Sequence, residues 1–451
     1  MGDASEFRGC ARAGCIVPLD AVSVDTGLCE LLCGRPARVD ALADDDDADV
    51  LLACPVMGLC DQEAEVETLR MLSFLLHDER FSGWSIEGKL SRTHFSLKYM
   101  EFCRQKGWES LLYTFHQNAR EKKVYHVGSG TVKVFPVKMR FPPFQRFGND
   151  HNPSALIQEA LTDQPDLMHF HNYYLFSYPY MAGLLKRKVG RPLVAQLHGY
   201  NNGSLRKLLY LPCLQALRRA DRIVYSYEPE RKVYGKLGVL NKAVKVPVPG
   251  VDTAVFRRQR RRFSNRLLYV GRIPRSENAY GEKSPLLLLR ILRRLRSLVE
   301  DVGLDVVGDG PGLAHCVEQS RVLGLEECVS FHGYVSHRDL PKYYGAAGLT
   351  VAPIRVYDVD GWFDGMVQES LACGTPVAAF RSSEERPLRG TRGFLLSNNL
   401  ENAAREIASL FEAREKIEQV GEDGSNFVQE NCSDARVAGM LRSVWEDVVR
   451  A

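Results

Sequence analysis

Short apolar runs alternate with amphipathic segments from residue 71 onward. The runs Met71–Leu76, Leu111–Phe115 and Val132–Val137 are mostly apolar over their whole length, which is typical of strands buried on both faces of a parallel sheet. The segments between such runs, for example Ser177–Lys188, repeat apolar residues at helical spacing. Strands that alternate with helices in this way predict a doubly wound, parallel α/β sheet.

The pattern pauses and then repeats. Val246–Gly250, which contains two prolines, interrupts it, and a second series of strands begins at Arg266–Val270. Two open α/β sheets in one chain predict a cleft between two domains, where such folds bind ligands. We therefore expect Rossmann-like domains at residues 71–255 and 256–430, and a C-terminal helix over residues 431–451 that packs back on the first domain.

The first 70 residues differ in composition from the rest. They hold six of the twelve cysteines and the acidic run Asp44–Asp47. The cysteine spacings do not repeat a CxxC pair and no histidine accompanies them, which disfavours a structural zinc site. We expect residues 1–70 to be a disordered extension, or a segment that precedes a functional start at Met71.

The overall composition is that of a soluble globular enzyme. Of the 451 residues, 45% are hydrophobic and 25% are charged. No apolar run approaches the roughly 18 residues that a membrane helix needs. The N-terminus lacks a basic region followed by an apolar stretch, so we expect a cytoplasmic protein with reduced thiols rather than a secreted one.

Charge is distributed unevenly along the chain. Residues 1–70 contain five Arg, no Lys and fifteen Asp or Glu, a net charge of −10; because the whole chain carries +3, the rest carries +13. A basic body favours anionic partners, such as nucleotide phosphates or, near Lys186-Arg187-Lys188, the anionic surface of a membrane. The basic residues are scattered and no recognised module appears, which argues against nucleic-acid binding.

A carboxylate stands inside the predicted helix Met366–Ala372. Asp360 and Asp364 precede this helix, and Glu369 lies on it. A helix N-terminus carries unpaired N–H groups and a positive dipole end, which suit an anionic ligand. A carboxylate one or two turns into the helix can accept hydrogen bonds from paired hydroxyls, such as those of a ribose. The segment predicts a pocket for a phosphorylated, hydroxyl-rich ligand such as a nucleotide sugar.

Two cations near the start of the second series of strands suit the same ligand. Gly271, at the end of a predicted strand, allows close approach of the backbone. Arg272 and Lys283 can clamp a diphosphate, the first as a planar fork and the second as a point charge. Positive charge at a helix start is slightly unfavourable, which favours a ligand-binding role over a purely structural one.

Two further turns are weaker signals. Gly308 follows a predicted strand and opens a glycine turn, which is equally typical of an ordinary strand-to-helix connection. The peptide between His332 and Gly333 is placed to read the edge of a nucleotide base. The His332 side chain, taken alone, is more often structural than catalytic.

The order and spacing of these motifs resemble the donor half of the family-4 retaining glycosyltransferases of GT-B fold. The motifs are Gly271-Arg272, Lys283, Gly308-Asp309-Gly310-Pro311, Phe331-His332-Gly333, Leu340–Tyr344 and Glu369–Val377. The segments that resemble the acceptor half and crossover of that family are Pro165–His171, Gln196–Gly199, Ala220–Ser226 and Gly250–Asp252. The resemblance covers residues 71–451.

The resemblance implies an enzyme that binds a nucleotide sugar between two domains. The sugar passes to a hydroxyl of a glycan, lipid-linked or small-molecule acceptor, with retention of the anomeric configuration. By family analogy, no metal ion, no separate cofactor and no side-chain nucleophile take part. Arg272 and Lys283 would hold the diphosphate and Glu369 the ribose hydroxyls. A phosphate oxygen of the leaving nucleotide would take the proton of the acceptor.

The sugar-binding side departs from the family pattern. The family usually has a Glu eight residues before Glu369, where this chain has Gly361. Asp360 or Asp364 is expected to replace that carboxylate as a catalytic residue, and a shorter side chain would alter the sugar contacts. His198 is the third expected catalytic residue, close to the donor sugar, although a histidine at a strand end is equally often a packing residue.

The first loop of the family's pattern is also only partly matched. Gly83 and Gly88, expected near the donor, have four residues between them, where the family has paired glycines. Two alternatives therefore stay open beside a transferase. One is a nucleotide-sugar epimerase of the same fold, and the other is a nucleotide-sugar binding protein that has lost catalysis.

Overall fold

The computed structural model describes most of the chain after Thr68. The described residues are 68–75, 90, 95–116, 119–128, 130–136, 153–171, 177–196, 217–226, 228–258, 263–274, 284–356, 365–381 and 392–451. The expectation for residues 1–70 therefore lies almost entirely outside them.

The first half of the described chain forms an eight-stranded sheet. Its strands are β1 (Arg70–Leu75), β2 (Glu109–His116), β3 (Lys123–Val127), β4 (Gly130–Pro136), β5 (Leu167–Phe170), β6 (Leu193–Gln196), β7 (Arg222–Tyr225) and β8 (Ala243–Lys245). They lie in the order β3-β4-β2-β1-β5-β6-β7-β8. All neighbouring strands are parallel except β3 and β4, which are antiparallel.

Helices cover both faces of this first sheet. They are α1 (Phe95–Arg104), α2 (Pro153–Asp163), α3 (Ser177–Val189) and α4 (Glu228–Lys236). Leu72 and Phe74 of β1 pack with α2, α3 and α4 on one face, while Met71 packs with α1 on the other. This alternation follows from the period-two geometry of a strand, and burial on both faces explains why β1 appears in the sequence as a continuous apolar run.

The second half forms a six-stranded, fully parallel sheet. Its strands are β9 (Arg266–Val270), β10 (Gly303–Val307), β11 (Val329–Gly333), β12 (Leu349–Val356), β13 (Val377–Arg381) and β14 (Gly393–Leu396). They lie in the order β11-β10-β9-β12-β13-β14. The two parallel-dominated sheets confirm the predicted α/β class with doubly wound sheets.

Seven helices of the described chain follow β9 in the sequence. They are α5 (Leu286–Leu295), α6 (Leu313–Val322), α7 (Leu340–Ala346), α8 (Gly365–Ala372), α9 (Leu400–Glu412), α10 (Arg414–Asn431) and α11 (Asp434–Arg450). In α5, Leu288, Leu292 and Leu295 repeat at helical spacing and are fully buried, so this helix packs its apolar face on the sheet. Helix α11 leaves the second sheet and packs on α1 and β5 of the first.

The segment that follows β8 and leads to the second sheet, residues 246–258, is called the crossover. Hydrogen bonds connect it and its neighbour α11 to helix α1 of the first sheet. Lys98 of α1 donates hydrogen bonds to the Gly250 carbonyl at 3.0 Å and to Asp434 Oδ1 at 2.8 Å. Burial raises the pKa of the Asp434 carboxyl, and the charge of Lys98 partly offsets that effect. These contacts connect α1, the crossover and the start of α11.

The strand pattern missed three strands. β3 is mostly exposed and begins with Lys123, so it lacks the continuous apolar run that marked the others. β8 has only three residues, and β14 begins with Gly393. All three are edge strands. β3 and β8 bury little apolar surface, whereas the four residues of β14 are all buried but form only a short run after a glycine.

Candidate functional site

Three of the predicted glycines meet at the carboxyl edge of the second sheet. Gly271, Gly308 and Gly333 stand at or just beyond the ends of the adjacent strands β9, β10 and β11. The Gly271 amide donates to the Val307 carbonyl at 3.0 Å, and the Gly308 amide donates to the Gly333 carbonyl at 2.8 Å. The carboxyl edge of an open parallel sheet is where such folds bind ligands.

Close approach of two backbones explains the glycine turn after β10. A Cβ on Gly308 would lie 1.8 Å from the Gly271 carbonyl oxygen, and one on Gly310 would lie 2.2 Å from the Ile273 carbonyl oxygen. Both glycines have positive φ angles, of 137° and 146°. Larger residues would push the two loops apart, so the close packing of the loops requires glycine at both positions.

Arg272 follows Gly271 in the same loop and is half-buried. The Tyr269 hydroxyl donates to the Arg272 carbonyl at 2.8 Å, and the Ile273 amide donates to the Asp309 carbonyl at 2.9 Å. The backbone that carries the guanidinium is therefore fixed on both sides. Lys283, its expected partner at the diphosphate, lies outside the described residues.

Glu369 lies on α8 with both carboxylate oxygens engaged. His337 Nε2 is 2.9 Å from Oε1, and the Tyr344 hydroxyl donates to Oε2 at 2.9 Å. An imidazole nitrogen beside a carboxylate forms a hydrogen bond only when it carries the proton, so Nε2 is the donor. The carboxylate is thus held in a defined orientation. It lies in the same half of the chain as Gly271, Gly308 and Gly333, which together form what we call the glycine edge of the second sheet.

Helix α8 is anchored to the crossover between the sheets. The Gln368 side-chain amide donates to the Pro247 carbonyl at 2.9 Å, and this contact is buried. At the start of the helix, a Cβ on Gly365 would lie 3.7 Å from Pro249 Cγ. On the inner side, the Ser370 hydroxyl donates to Thr350 Oγ1 at 2.7 Å. The carboxylate of Glu369 is therefore carried by a rigid element close to the junction of the two halves.

Helix α7 links the end of β11 with α8. Its neighbouring residues Tyr343 and Tyr344 reach in different directions: the Tyr343 ring contacts the His332 ring at a centroid distance of 4.7 Å, and Tyr344 binds Glu369. The Tyr344 carbonyl accepts a hydrogen bond of 2.6 Å from the Thr375 hydroxyl. One helix thus connects two of the segments that the sequence marked as donor-binding.

The imidazole of His332 belongs to an ion-pair cluster. His332 Nε2 is 2.8 Å from Asp305 Oδ1, and the Arg266 guanidinium donates to both oxygens of the same carboxylate, at 2.6 and 2.9 Å. Burial alone would raise the pKa of Asp305, but the hydrogen bonds from Arg266 and His332 outweigh it and hold the pKa below its ordinary value. The His332 side chain therefore contacts Asp305 of β10, and the role expected for the peptide between His332 and Gly333 stays a prediction.

The remaining predicted site residues fall outside the described part of the chain. They are His198, Lys283, Asp360, Asp364, Gly83 and Gly88. Their expected roles therefore stay predictions.

Sequence reasoning missed the two donors that hold Glu369. Tyr344 belongs to the motif Leu340–Tyr344, but the sequence predicts no role for it. His337 lies in a polar loop between β11 and α7. The ring of His337 packs on Phe256 at a centroid distance of 4.7 Å. A lone histidine in a loop carries no periodic signal, so only the tertiary contact identifies it.

The described residues include neither a membrane-spanning helix nor a cluster of metal ligands. None of their helices is long and apolar enough to cross a membrane. Within the same residues, no group of three or more His, Cys, Asp or Glu side chains is arranged to hold a metal ion. The five cysteines in the described part, Cys103, Cys316, Cys328, Cys373 and Cys432, are free thiols.

Two family models match the chain, one in each half. The model described as glycosyl transferases group 1 matches residues 264–413, and the model described as glycosyltransferase family 4 matches residues 99–255. Together the matches cover more than half of the chain. Comparison with curated protein sequences finds no match.

Solved structures of glycosyltransferases share the fold at low sequence identity. HepE from Anabaena in complex with UDP-glucose is 16% identical, covers 84% of this chain and 100% of its own, and has a TM-score of 0.60. Sucrose-phosphate synthase from Thermosynechococcus elongatus is 15% identical, with coverages of 85% and 99% and a TM-score of 0.63. The α,α-trehalose 6-phosphate synthase of Burkholderia multivorans is 11% identical, with coverages of 85% and 99% and a TM-score of 0.60.

These findings agree with the arrangement of the chain itself. The matched region 264–413 contains the glycine edge and Glu369, and the matched region 99–255 contains most of the first sheet and the crossover. The chain therefore belongs to the group 1, family 4 glycosyltransferases and has their GT-B fold.

Proposed function

We propose that this glycosyltransferase takes a sugar from a nucleotide-sugar donor bound at the glycine edge of the second sheet. The observation that carries the proposal is the placement of Glu369. Its carboxylate is fixed by two donors on a helix anchored to the crossover, within the half of the chain that matches the group 1 family. A carboxylate held in this way suits the paired hydroxyls of a ribose.

The diphosphate of the donor would be bound by Arg272 with Lys283. Arg272 sits in the loop after β9, and the backbone groups of Gly271 and Gly308 lie beside it without side chains that would block a ligand. A guanidinium and an ammonium stabilise the negative charge that grows on the nucleotide as the glycosidic bond breaks. This electrostatic role requires no metal ion.

At the sugar itself, we propose transfer with retention of configuration. The acceptor hydroxyl attacks from the face that the nucleotide leaves, and a phosphate oxygen of the departing nucleotide takes its proton. Asp360 or Asp364 replaces the family's usual carboxylate toward the sugar hydroxyls, and His198 approaches the sugar from the first domain. No covalent intermediate on a side chain forms in this scheme.

The structural neighbours support a hexose donor. HepE was solved with UDP and with UDP-glucose, and two other neighbours are sucrose-phosphate and trehalose 6-phosphate synthases. We propose a nucleotide hexose, with UDP as the first nucleotide to test, and a glycan, lipid-linked or small-molecule acceptor.

A donor panel tests the activity directly. UDP, GDP and ADP hexoses are incubated with the protein, release of the nucleoside diphosphate is measured, and the anomeric configuration of the product is read by NMR. Glu369→Gln and Lys283→Ala are each expected to lower turnover by orders of magnitude while the fold persists. Unchanged turnover in both variants, or an epimerised nucleotide sugar without transfer, would contradict the proposal.

We also propose peripheral contact with an anionic membrane through the basic face, defined as Arg187, Lys188, Arg218 and Arg219. All four side chains are exposed. Lys186 joins the two segments, because its Nζ donates to the Arg219 carbonyl at 2.8 Å. Clustered cations on the first domain can bind the anionic surface of a membrane, as suits a cytoplasmic protein that acts on a lipid-linked acceptor.

Vesicle co-sedimentation tests this contact. Each Lys or Arg near an anionic bilayer contributes about 1 kcal/mol, or roughly fivefold in affinity. Arg187→Glu with Lys188→Glu should therefore weaken binding to phosphatidylserine vesicles by more than tenfold. Vesicles of phosphatidylcholine alone serve as the control. Failure of the wild-type protein to bind anionic vesicles at low salt would contradict the proposal.

A further inference from the structure

The carboxylate of Glu369 has one hydrogen-bond donor on each oxygen among the described residues. His337 occupies Oε1 and Tyr344 occupies Oε2, both at 2.9 Å. The Glu369 side chain is mostly buried but keeps 15% of its surface exposed. His337 lies in the loop that connects β11 with α7, and Tyr344 lies on α7 itself.

Both donors are themselves held in place. Tyr344 is fully buried on α7, and its carbonyl accepts a hydrogen bond from Thr375. His337 packs its ring on the buried Phe256, at the crossover between the sheets. Because neither donor can move freely, the plane of the carboxylate between them is defined before any ligand binds, and this reduces the ordering cost of binding.

The donors leave acceptor capacity on each carboxylate oxygen. An ionised carboxylate offers about four lone-pair positions, so roughly one position remains on Oε1 and one on Oε2. Two acceptor positions on the two oxygens of one carboxylate match two hydroxyls on neighbouring carbons. We propose that His337 and Tyr344 are positioning residues that orient Glu369 toward both hydroxyls of the donor ribose.

This inference rests on the proposed function, in which Glu369 binds the ribose. It has a consequence that a purely structural role would not have. If His337 and Tyr344 act through Glu369, their loss weakens only the contact to the ribose hydroxyls. Contacts between the diphosphate and Arg272 are unaffected. A general loosening of the fold would instead weaken the binding of every nucleotide alike.

Isothermal titration calorimetry with matched nucleotides separates these cases. The probes are UDP, ADP and GDP and their 2′,3′-dideoxy counterparts, which lack both ribose hydroxyls. Hydrogen bonds to charged groups contribute about 1.5–3 kcal/mol, so the wild-type protein should prefer its best ribonucleotide by at least roughly tenfold. His337→Ala and Tyr344→Phe should each reduce that preference to about threefold or less, with dideoxynucleotide affinity unchanged.

Three controls test whether the loss of preference is specific to these two donors. His337→Gln retains a neutral N–H donor at a similar reach and should restore part of the preference. His126→Ala removes an exposed histidine on the edge strand β3 of the first sheet and should leave the preference intact. Tyr344→Phe keeps the size of the buried ring, so urea unfolding should show that the variant remains folded at the titration temperature.

The possible failures are distinguishable. A wild-type preference for ribonucleotides that survives in both His337→Ala and Tyr344→Phe, but is lost in Glu369→Gln, would overturn this inference and leave the proposed function standing. A wild-type protein that binds none of the three diphosphates would overturn the proposed function and, with it, the inference.

Discussion

Two imidazole–carboxylate pairs in the second half of the chain have similar geometry and different surroundings. His332 lies 2.8 Å from Asp305, and His337 lies 2.9 Å from Glu369. The carboxylate side chains are 16% and 15% exposed, and the imidazoles 28% and 27%. Neither distance nor burial separates the two pairs.

The second partner of each carboxylate does separate them. Asp305 is bound by both donors of the Arg266 fork, so its charge is compensated and three of its acceptor positions are filled. Glu369 has the uncharged hydroxyl of Tyr344 instead. A bidentate guanidinium thus completes a structural ion pair, whereas a phenol leaves a carboxylate with capacity for a ligand.

The largest expected effect is on catalysis, through Glu369→Gln. Two hydrogen bonds from ligand hydroxyls to a carboxylate contribute about 1.5–3 kcal/mol each, so sugar transfer should fall by roughly a hundredfold or more. The measurement is kcat/KM for the donor. Asp305→Asn is the matched control, and its transfer rate should stay within about threefold at a temperature where it is folded. Equal losses of kcat/KM in the two variants would contradict the different roles assigned to the two carboxylates.

Asp305→Asn should instead act on stability. The variant loses the charge that Arg266 and His332 bind, and charged hydrogen bonds contribute about 1.5–3 kcal/mol. Because the Arg266 side chain is 35% exposed, solvent screening reduces the expected loss to about 1–2 kcal/mol of unfolding free energy. Urea denaturation measures it. A variant with unchanged stability and weakened nucleotide binding would reverse the roles assigned to the pairs.

The pH dependence of stability sharpens the same contrast. The pKa of Asp305 is lowered in the folded protein from an ordinary value of 3.8. The unfolded chain therefore binds this proton more readily than the folded one, and the stabilisation present above about pH 4 is lost as pH falls through the folded pKa. As pH is lowered from about 6 to about 3, the unfolding free energy should fall less steeply in Asp305→Asn than in the wild type. Parallel curves would contradict this.

The smallest expected effect belongs to His332→Ala. Asp305 keeps both hydrogen bonds from Arg266 in this variant, so the unfolding free energy should fall by no more than about 1 kcal/mol. The measurement is the urea midpoint at constant slope. A loss larger than that of Asp305→Asn would mean that the imidazole, rather than the guanidinium, holds the carboxylate.

Much of the fold could be predicted from apolar runs. The strands β1, β9 and β10 are buried on both faces, so each appears as a nearly continuous apolar segment. The strands β3 and β8 are exposed or very short, and they gave no comparable signal. Long buried runs are therefore visible in a sequence, whereas exposed or very short strands are not.

The candidate site divides in the same way. Gly271, Gly308, Arg272 and Glu369 can be predicted as site residues because backbone approach, phosphate binding and hydroxyl binding each demand a particular residue type. The sequence pointed to His332 and passed over His337, although the structure gives the two imidazoles the same kind of partner. Residue type and spacing do not tell which carboxylate a loop histidine will meet.

The sequence by itself determined the alternation of strands and helices, the two sheets and the residue types at the glycine edge, because these depend on local periodicity and backbone sterics. The tertiary structure alone decided that β9, β10 and β11 bring Gly271, Gly308 and Gly333 together, and that His337 and Tyr344 converge on Glu369. Those contacts join residues distant in the chain, and their geometry follows from how helices pack on the sheet rather than from any local pattern.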